Sequence, residues 1–156
     1  MTELTNYQVP PREVPAHDNG YLEKITQAVF QAGFSWQVIR NKWPNFQKAF
    51  ANFDIDTVAS FTDEDLERLV EDKGIVRNGR KIAATIHNAQ VCQSLIHEHG
   101  SFKNWLRTLD DLEYNTRAKN FSKQFKFMGD MGAYFFFWSV GEETPPYEEW
   151  QASRSK

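Results

Sequence analysis

Gln31-Ala32-Gly33-Phe34-Ser35-Trp36 closes one helical pattern and opens the next. Gly33 takes positive φ without steric cost, so it serves as a helix stop. Ser35 offers a hydroxyl to the first free amides of a following helix. Phe34 and Trp36 flank that cap, so the turn aims two aromatics. The same letters suit a plain helical corner whose aromatics close the core, and the flanking sequence has to be read before one reading is preferred.

Before the turn, Tyr21, Ile25 and Val29 recur every four residues with Leu22 beside them, and Asp18 or Asn19 is placed to cap a helix beginning near Gly20. After it, Trp36, Ile39 and Trp43 share one helical face until Pro44, which is expected to end the helix. Phe46, Phe50 and Phe53 then point inward from a short segment opened by that proline. Asp54 heads a pair of apolar residues, Ile55 and Val58. Thr62 with Asp65 resembles a capping box ahead of Leu66, Leu69 and Val70.

A second informative stretch runs Asp72-Lys73-Gly74-Ile75-Val76-Arg77-Asn78-Gly79-Arg80-Lys81-Ile82. One helix stops at Gly74, Ile75 and Val76 form a short apolar hairpin, and Asn78 caps a long helix carrying Ile82, Ile86, Ala89 and Ile96 inward. This is helix-hairpin-helix. The amides of Gly79 to Lys81 lie at a helix N-terminus, a natural anion site, with Arg77, Arg80 and Lys81 around it. A DNA phosphate fits there.

Downstream, Gly100 and Ser101 separate the long helix from a short one with Phe102, Trp105 and Leu106. His87, His97 and His99 lack metal-ligand spacing. Arg117, Lys119, Lys123 and Lys126 form a basic segment suited to further phosphate contacts. Asp130 to Val140, with Met131, Tyr134, Phe135 and Trp138, is apolar almost all round and reads as a central core helix.

The fold expected is all-α, a single compact domain over residues 16–141 between an extended arm (1–15) with three prolines and a glutamate-rich tail (142–156) whose Tyr147 and Trp150 can pack back. The 156 residues include 13 Phe, 5 Trp and 5 Tyr, so aromatic faces are plentiful. One cysteine, Cys92, excludes an internal disulfide, and no apolar run has membrane-spanning length, so no membrane partner is expected. A cytoplasmic location follows as the expectation. A net charge of −3 means that nucleic-acid binding has to come from a local basic face.

His17-Asp18-Asn19, the Q-A-G-x-S-W turn at Gln31 to Trp36, the G-I-x-R-x-x-x-K-I hairpin at Gly74 to Ile82 and F-K-F-x-G at Phe125 to Gly129 together resemble the bacterial 3-methyladenine DNA glycosylase I family. The resemblance implies an all-α helix-hairpin-helix protein that flips N3-methylated adenine out of duplex DNA and hydrolyses its N-glycosidic bond, working as a monomer at the bacterial nucleoid. It implies Trp36 as the residue that stacks on the base and puts Tyr21 near a pocket tryptophan. Phe34 is the candidate wedge, Gln31 the reader of the base edge, and Gly74, Ile75, Arg77, Asn78, Arg80, Lys81 and Lys123 the DNA contacts.

Two departures belong to the same reading. A family glutamate, eight residues before the pocket tryptophan, is Ala28 here, which leaves Asp18 and Glu23 as candidate catalytic carboxylates. The family's zinc, held by two Cys and two His, has only His17 as a counterpart, so no metal or other cofactor is expected. A catalytically silent relative that recognises a damaged or unpaired base is the alternative.

Overall fold

A computed structural model describes residues 10–154. Among these are nine helices and no strand: α1 (Asp18–Gln31), α2 (Trp36–Ala49), α3 (Ile55–Ala59), α4 (Asp63–Val70), α5 (Gly79–His99), α6 (Phe102–Arg107), α7 (Tyr114–Gln124), α8 (Asp130–Ser139) and α9 (Tyr147–Arg154), with a 3-10 turn at Ala51–Phe53. The first nine residues of the expected arm lie outside the described residues.

Helix α5 is the spine. Helices α1, α3, α4 and α6 pack on it, and α8 packs on α1 and α7. The core between them is aromatic. Phe121 stacks on Phe136 with centroids 4.4 Å apart, Tyr21 on Phe102 at 4.7 Å, and Trp43 on Phe46 and Phe53 at 5.0 and 5.3 Å. Such pairs add about 1 kcal/mol each beyond their area burial.

Several starts follow the sequence signals. Ser35 Oγ accepts the Val38 amide, Asp54 accepts the Thr57 amide at 3.1 Å, Asn78 Oδ1 accepts the Lys81 amide at 3.1 Å, and the Asp65 carboxylate accepts the Thr62 amide at 2.8 Å. Asp18 and Asn19 act differently from expectation. The N-cap of α1 is His17, without a side-chain bond, and the two residues reach other helices instead. Asp18 accepts the Phe102 amide at the head of α6, and Asn19 accepts the Ile55 amide at the head of α3. Each closes a helix end that is remote in sequence.

Pro44 also departs from expectation, because α2 runs through it to Ala49. Pro44 and Arg40, whose carbonyl the proline leaves unbonded, both lie on the solvent face. Water can take the lost bond there, and the buried stripe Ile39, Trp43 and Phe46 carries the helix past the proline. The chain then reverses through Ala51, Asn52 and Phe53, all at positive φ (52, 55 and 59°). Burial of Phe50 and Phe53 offsets that strain.

The ends pack on the body. The Glu13 amide donates to Ser139 O at 2.7 Å, Lys24 Nζ donates to Pro11 O, and Arg12 and Arg107 both engage Glu142. Past Gly141 the chain is not a bare tail, since α9 buries Trp150 against Tyr134, with ring centroids 4.3 Å apart. In α8 the inward face is Ala133, Tyr134, Phe136 and Phe137, while Met131, Phe135 and Trp138 are half-buried.

The capping carboxylates Asp54, Asp65 and Glu113 are held below the ordinary carboxylate range, first by bonds from the Thr57 hydroxyl, the Thr62 amide and the Thr116 hydroxyl respectively. A depressed folded-state pKa stabilises the fold above the unfolded value near pH ~4 and is lost as pH falls through the folded value. Melting temperature is therefore expected to fall between about pH 4 and pH 2, less steeply in Asp54→Asn. A pH series of thermal melts checks it.

Candidate base pocket and nucleic-acid interface

The corner between α1 and α2 is built as its letters suggest. Gly33 sits at φ +85°, and the Phe34 amide donates to Gln31 O at 2.8 Å. Phe34 is left 43% exposed. What the letters do not show is how the corner is held. Lys81, from the first turn of α5, crosses to the C-terminal end of α1, where Nζ donates to Ala32 O at 2.5 Å and lies 3.5 Å from Phe30 O. Its ammonium stands 5.4 Å from the Phe34 ring centroid and 5.9 Å from that of Phe30. Helix α1 has no basic residue in its own last turn, so Lys81 supplies the cation that its terminal carbonyls favour. Burial lowers the Lys81 pKa.

Beside the corner, α1 and α8 enclose a cavity of about 250 Å³. Its walls include Ala28, Gln31 and Phe34 on one side and Met131, Gly132 and Phe135 on the other. A Cβ at Gly132 would stand 3.1 Å from Met128 Sδ, which would have to shift by a few tenths of an ångström, and 3.8 Å from Ala28 Cβ, an ordinary contact, so the glycine keeps this wall open. Two small residues facing each other thus open the space, and Phe34 and Phe135 give it aromatic walls. None of the residues that line it is titratable. The α8 half was not foreseen, because that helix reads as core; the one glycine within its aromatic run was the available signal.

The hairpin between α4 and α5 is fixed by side chains. Asp72 Oδ1 accepts the Gly74 amide at 2.8 Å, Asn45 Nδ2 donates to Gly74 O at 3.0 Å, and Ile75 is buried beneath. Asn78 takes the Lys81 amide, which leaves the amides of Gly79 and Arg80 as first-turn donors with no preceding helical carbonyl to bond. Arg77, Gly79 and Arg80 are exposed around them. That grouping suits a phosphate oxygen.

Lys81 is the correction within this group. Expected among the phosphate-facing cations, it is only 6% exposed and turned inward to the α1 carbonyls. Trp36 is also sealed. It is 3% exposed, tilted against Trp43 at 6.2 Å, and absent from the cavity lining; its Nε1 has no hydrogen-bond partner among the described residues. Tyr21 lies on Phe102 in the core, away from the cavity, and burial raises its pKa.

The candidate carboxylates do not reach the cavity either. Asp18 is engaged at the head of α6, and Glu23 Oε2 accepts Trp43 Nε1 at 2.8 Å and Gln47 Nε2 at 2.9 Å in a separate depression. Lys123 is exposed near the end of α7, whereas Arg117 turns to Glu143 O. The zinc of the resembling family does not fit the residues present: His17 precedes α1 alone, Cys92 is fully buried within α5, and residues 142–154 contain no His or Cys. Among the described residues, no three His, Cys, Asp or Glu side chains converge for a metal. No helix among them is long and apolar enough to cross a membrane.

A family model described as methyladenine glycosylase matches residues 12–128. DNA-3-methyladenine glycosylase 1 of Escherichia coli (strain K12) is 29% identical over 160 residues, spanning 84% of this chain and 86% of that protein. A crystal structure of 3-methyladenine DNA glycosylase I aligns with TM-score 0.73 at 27% identity, covering 83% of this chain and 81% of that one. The Staphylococcus aureus 3-methyladenine DNA glycosylase I aligns with TM-score 0.75 at 24% identity, covering 83% and 79%, a likeness of fold.

Lys81→Met keeps the aliphatic packing but leaves the end of α1 without its cation. We expect a loss of about 1.5–3 kcal/mol, the range for hydrogen bonds to charged groups. Faster amide exchange confined to Gly33, Phe34 and Ser35, with the α5 spine protected, checks that the loss is local.

Proposed function

Because the chain belongs to the methyladenine glycosylase family, we propose that it excises 3-methyladenine from duplex DNA by hydrolysis of the N-glycosidic bond, acting as a monomer at the bacterial nucleoid. One observation carries the reading: an exposed Phe34 stands at the rim of a base-sized cavity and is tied through Lys81 to the helix whose N-terminus faces solvent with Arg77 and Arg80.

The first-turn amides of α5 and the two guanidinium groups hold the phosphate backbone. Phe34 enters the stack and fills the gap left by the extruded nucleotide, offsetting the few kcal/mol that unstacking costs. The base enters the cavity and lies against Phe135 on its α8 wall. N3 methylation makes adenine cationic, and an aromatic face attracts a desolvated cation by about 2 kcal/mol. The Gln31 side-chain amide, which both donates and accepts, reads the edge. Water attacks C1′ of the sugar, the C1′–N9 bond breaks with its electron pair passing to the base, and the proton of the water is released to solvent. A cationic base leaves without prior protonation, so a cavity lined by no acid or base suffices.

Purified protein is therefore expected to release 3-methyladenine from methylated duplex DNA. Phe34→Ala should slow single-turnover release roughly 10-fold or more, since one stacking contact is worth about 1–3 kcal/mol, and Phe34→Leu should retain most of the rate. DNA binding without release would favour the silent relative.

A general acid or base contributes about 10²–10⁴-fold to catalysis. With none lining the cavity, the release rate should stay flat from about pH 6 to pH 9, within the span that such a group would otherwise titrate. A bell-shaped profile in the same assay would place a titrating residue at the base.

A further inference from the structure

The F-K-F-x-G motif at Phe125 to Gly129 has no part in the chemistry described so far. Phe125 and Met128 are buried, but Phe127 between them is 47% exposed. Its φ is +57°, left-handed backbone that is rare for a bulky residue. The loop is held there by a buried side chain of α5. Asn88 Oδ1 accepts the Lys126 amide at 2.9 Å and Asn88 Nδ2 donates to Lys126 O at 3.2 Å, with Asn88 itself 1% exposed. An aromatic ring fixed outward on strained backbone adds little to a core, and strain of this kind gathers where a ligand is engaged.

The position of Asn88 says which ligand. Lys81 and Asn88 are seven residues apart, on one stripe of α5, about 10 Å along its axis. Lys81 holds the Phe34 corner and Asn88 holds the Phe127 loop, so one rail sets both exposed rings. On the adjoining stripe, Arg80 and His87 share the same spacing, and the Lys126 ammonium stands near enough to His87 to join burial in lowering its pKa. Lys123 and Lys126 are exposed beside the loop. Phe127 also lies just ahead of Met131 and Gly132, which form the far wall of the cavity.

We propose that Phe127 is a second stacking contact to the same DNA duplex, holding the strand beside the extruded nucleotide while Lys126 meets the neighbouring phosphate. This rests on the glycosylase reading for its substrate, but the role is one of substrate positioning and not of chemistry. Charge complementarity and continuity with the hairpin interface select a polyanion with stacked bases over a second protein.

The test uses full-length protein and a duplex carrying a tetrahydrofuran abasic analogue, with 2-aminopurine placed in turn at the three positions on either side. Phe127→Gly removes the ring and suits the backbone, so its melting temperature should match or exceed that of wild type. Its affinity for the duplex should fall roughly 10-fold, as for loss of one stacked base. The wild-type 2-aminopurine response at one flanking position should vanish, while the response next to the abasic site, set by Phe34, persists. Phe127→Trp should restore both.

Wild-type affinity and an unchanged fluorescence pattern in Phe127→Gly would overturn the proposal, as would a wild-type protein that does not bind the duplex. If wild type releases 3-methyladenine and Phe127→Gly binds and releases equally well, the positioning role fails and the glycosylase reading stands. If wild type releases no base yet its binding depends on Phe127, the contact stands and the catalytic reading fails.

Discussion

The Lys81 ammonium on the Ala32 carbonyl joins the two halves of the site. A buried cation is costly unless something compensates it. Here the compensation is the negative end of α1, whose last carbonyls have no helical donors and no basic residue of their own. The same bond fixes where the Gly33 turn leaves the helix, and so where Phe34 points. It also fixes the distance from that ring to the solvent-facing N-terminus of α5, because Lys81 lies in the first turn beyond Asn78. The solvent-facing first turn of α5 and the Phe34 corner are therefore set by one rigid piece of helix.

The rest of the site follows from close packing around that piece. Ala28 and Gly132 bring α1 near α8 while leaving the space between them unfilled. Phe34 and Phe135 give this space π faces, and no acid or base enters it. Such a cavity suits a substrate that already carries its own positive charge and leaving-group activation. The polar side chains of the first turns of α1 lie away from it and serve structure: Asp18 and Asn19 close α6 and α3, and Glu23 holds Trp43 and Gln47.

Much of this was legible in the chain. The caps at Ser35, Asp54 and Asn78, the turn at Gly33 and the hairpin at Gly74 are local, because each joins residues within a few positions of one another. The exposed ring at Phe34 follows from the same locality. Pro44 misled because a proline breaks a helix only where its lost bond is not replaced, and on the solvent face water can replace it. Tyr21 and Trp36 were read as pocket residues by their place in a motif, yet Tyr21 is covered by Phe102 of the remote α6 and Trp36 is buried against Trp43 of its own helix.

By itself, then, the sequence determined an all-α fold, the corner that presents Phe34 and the hairpin with its solvent-facing helix end, since periodicity and capping act over one or two turns. Only the tertiary structure decided that Lys81 faces inward, that α8 supplies half of the cavity, and that Asn88 holds Phe127 outward. Those outcomes depend on which helices meet and which carbonyls they leave unpaired. That information lies in contacts between residues 38 to 104 positions apart, such as Asn88 with Lys126, Phe30 with Lys81 and Ala28 with Gly132.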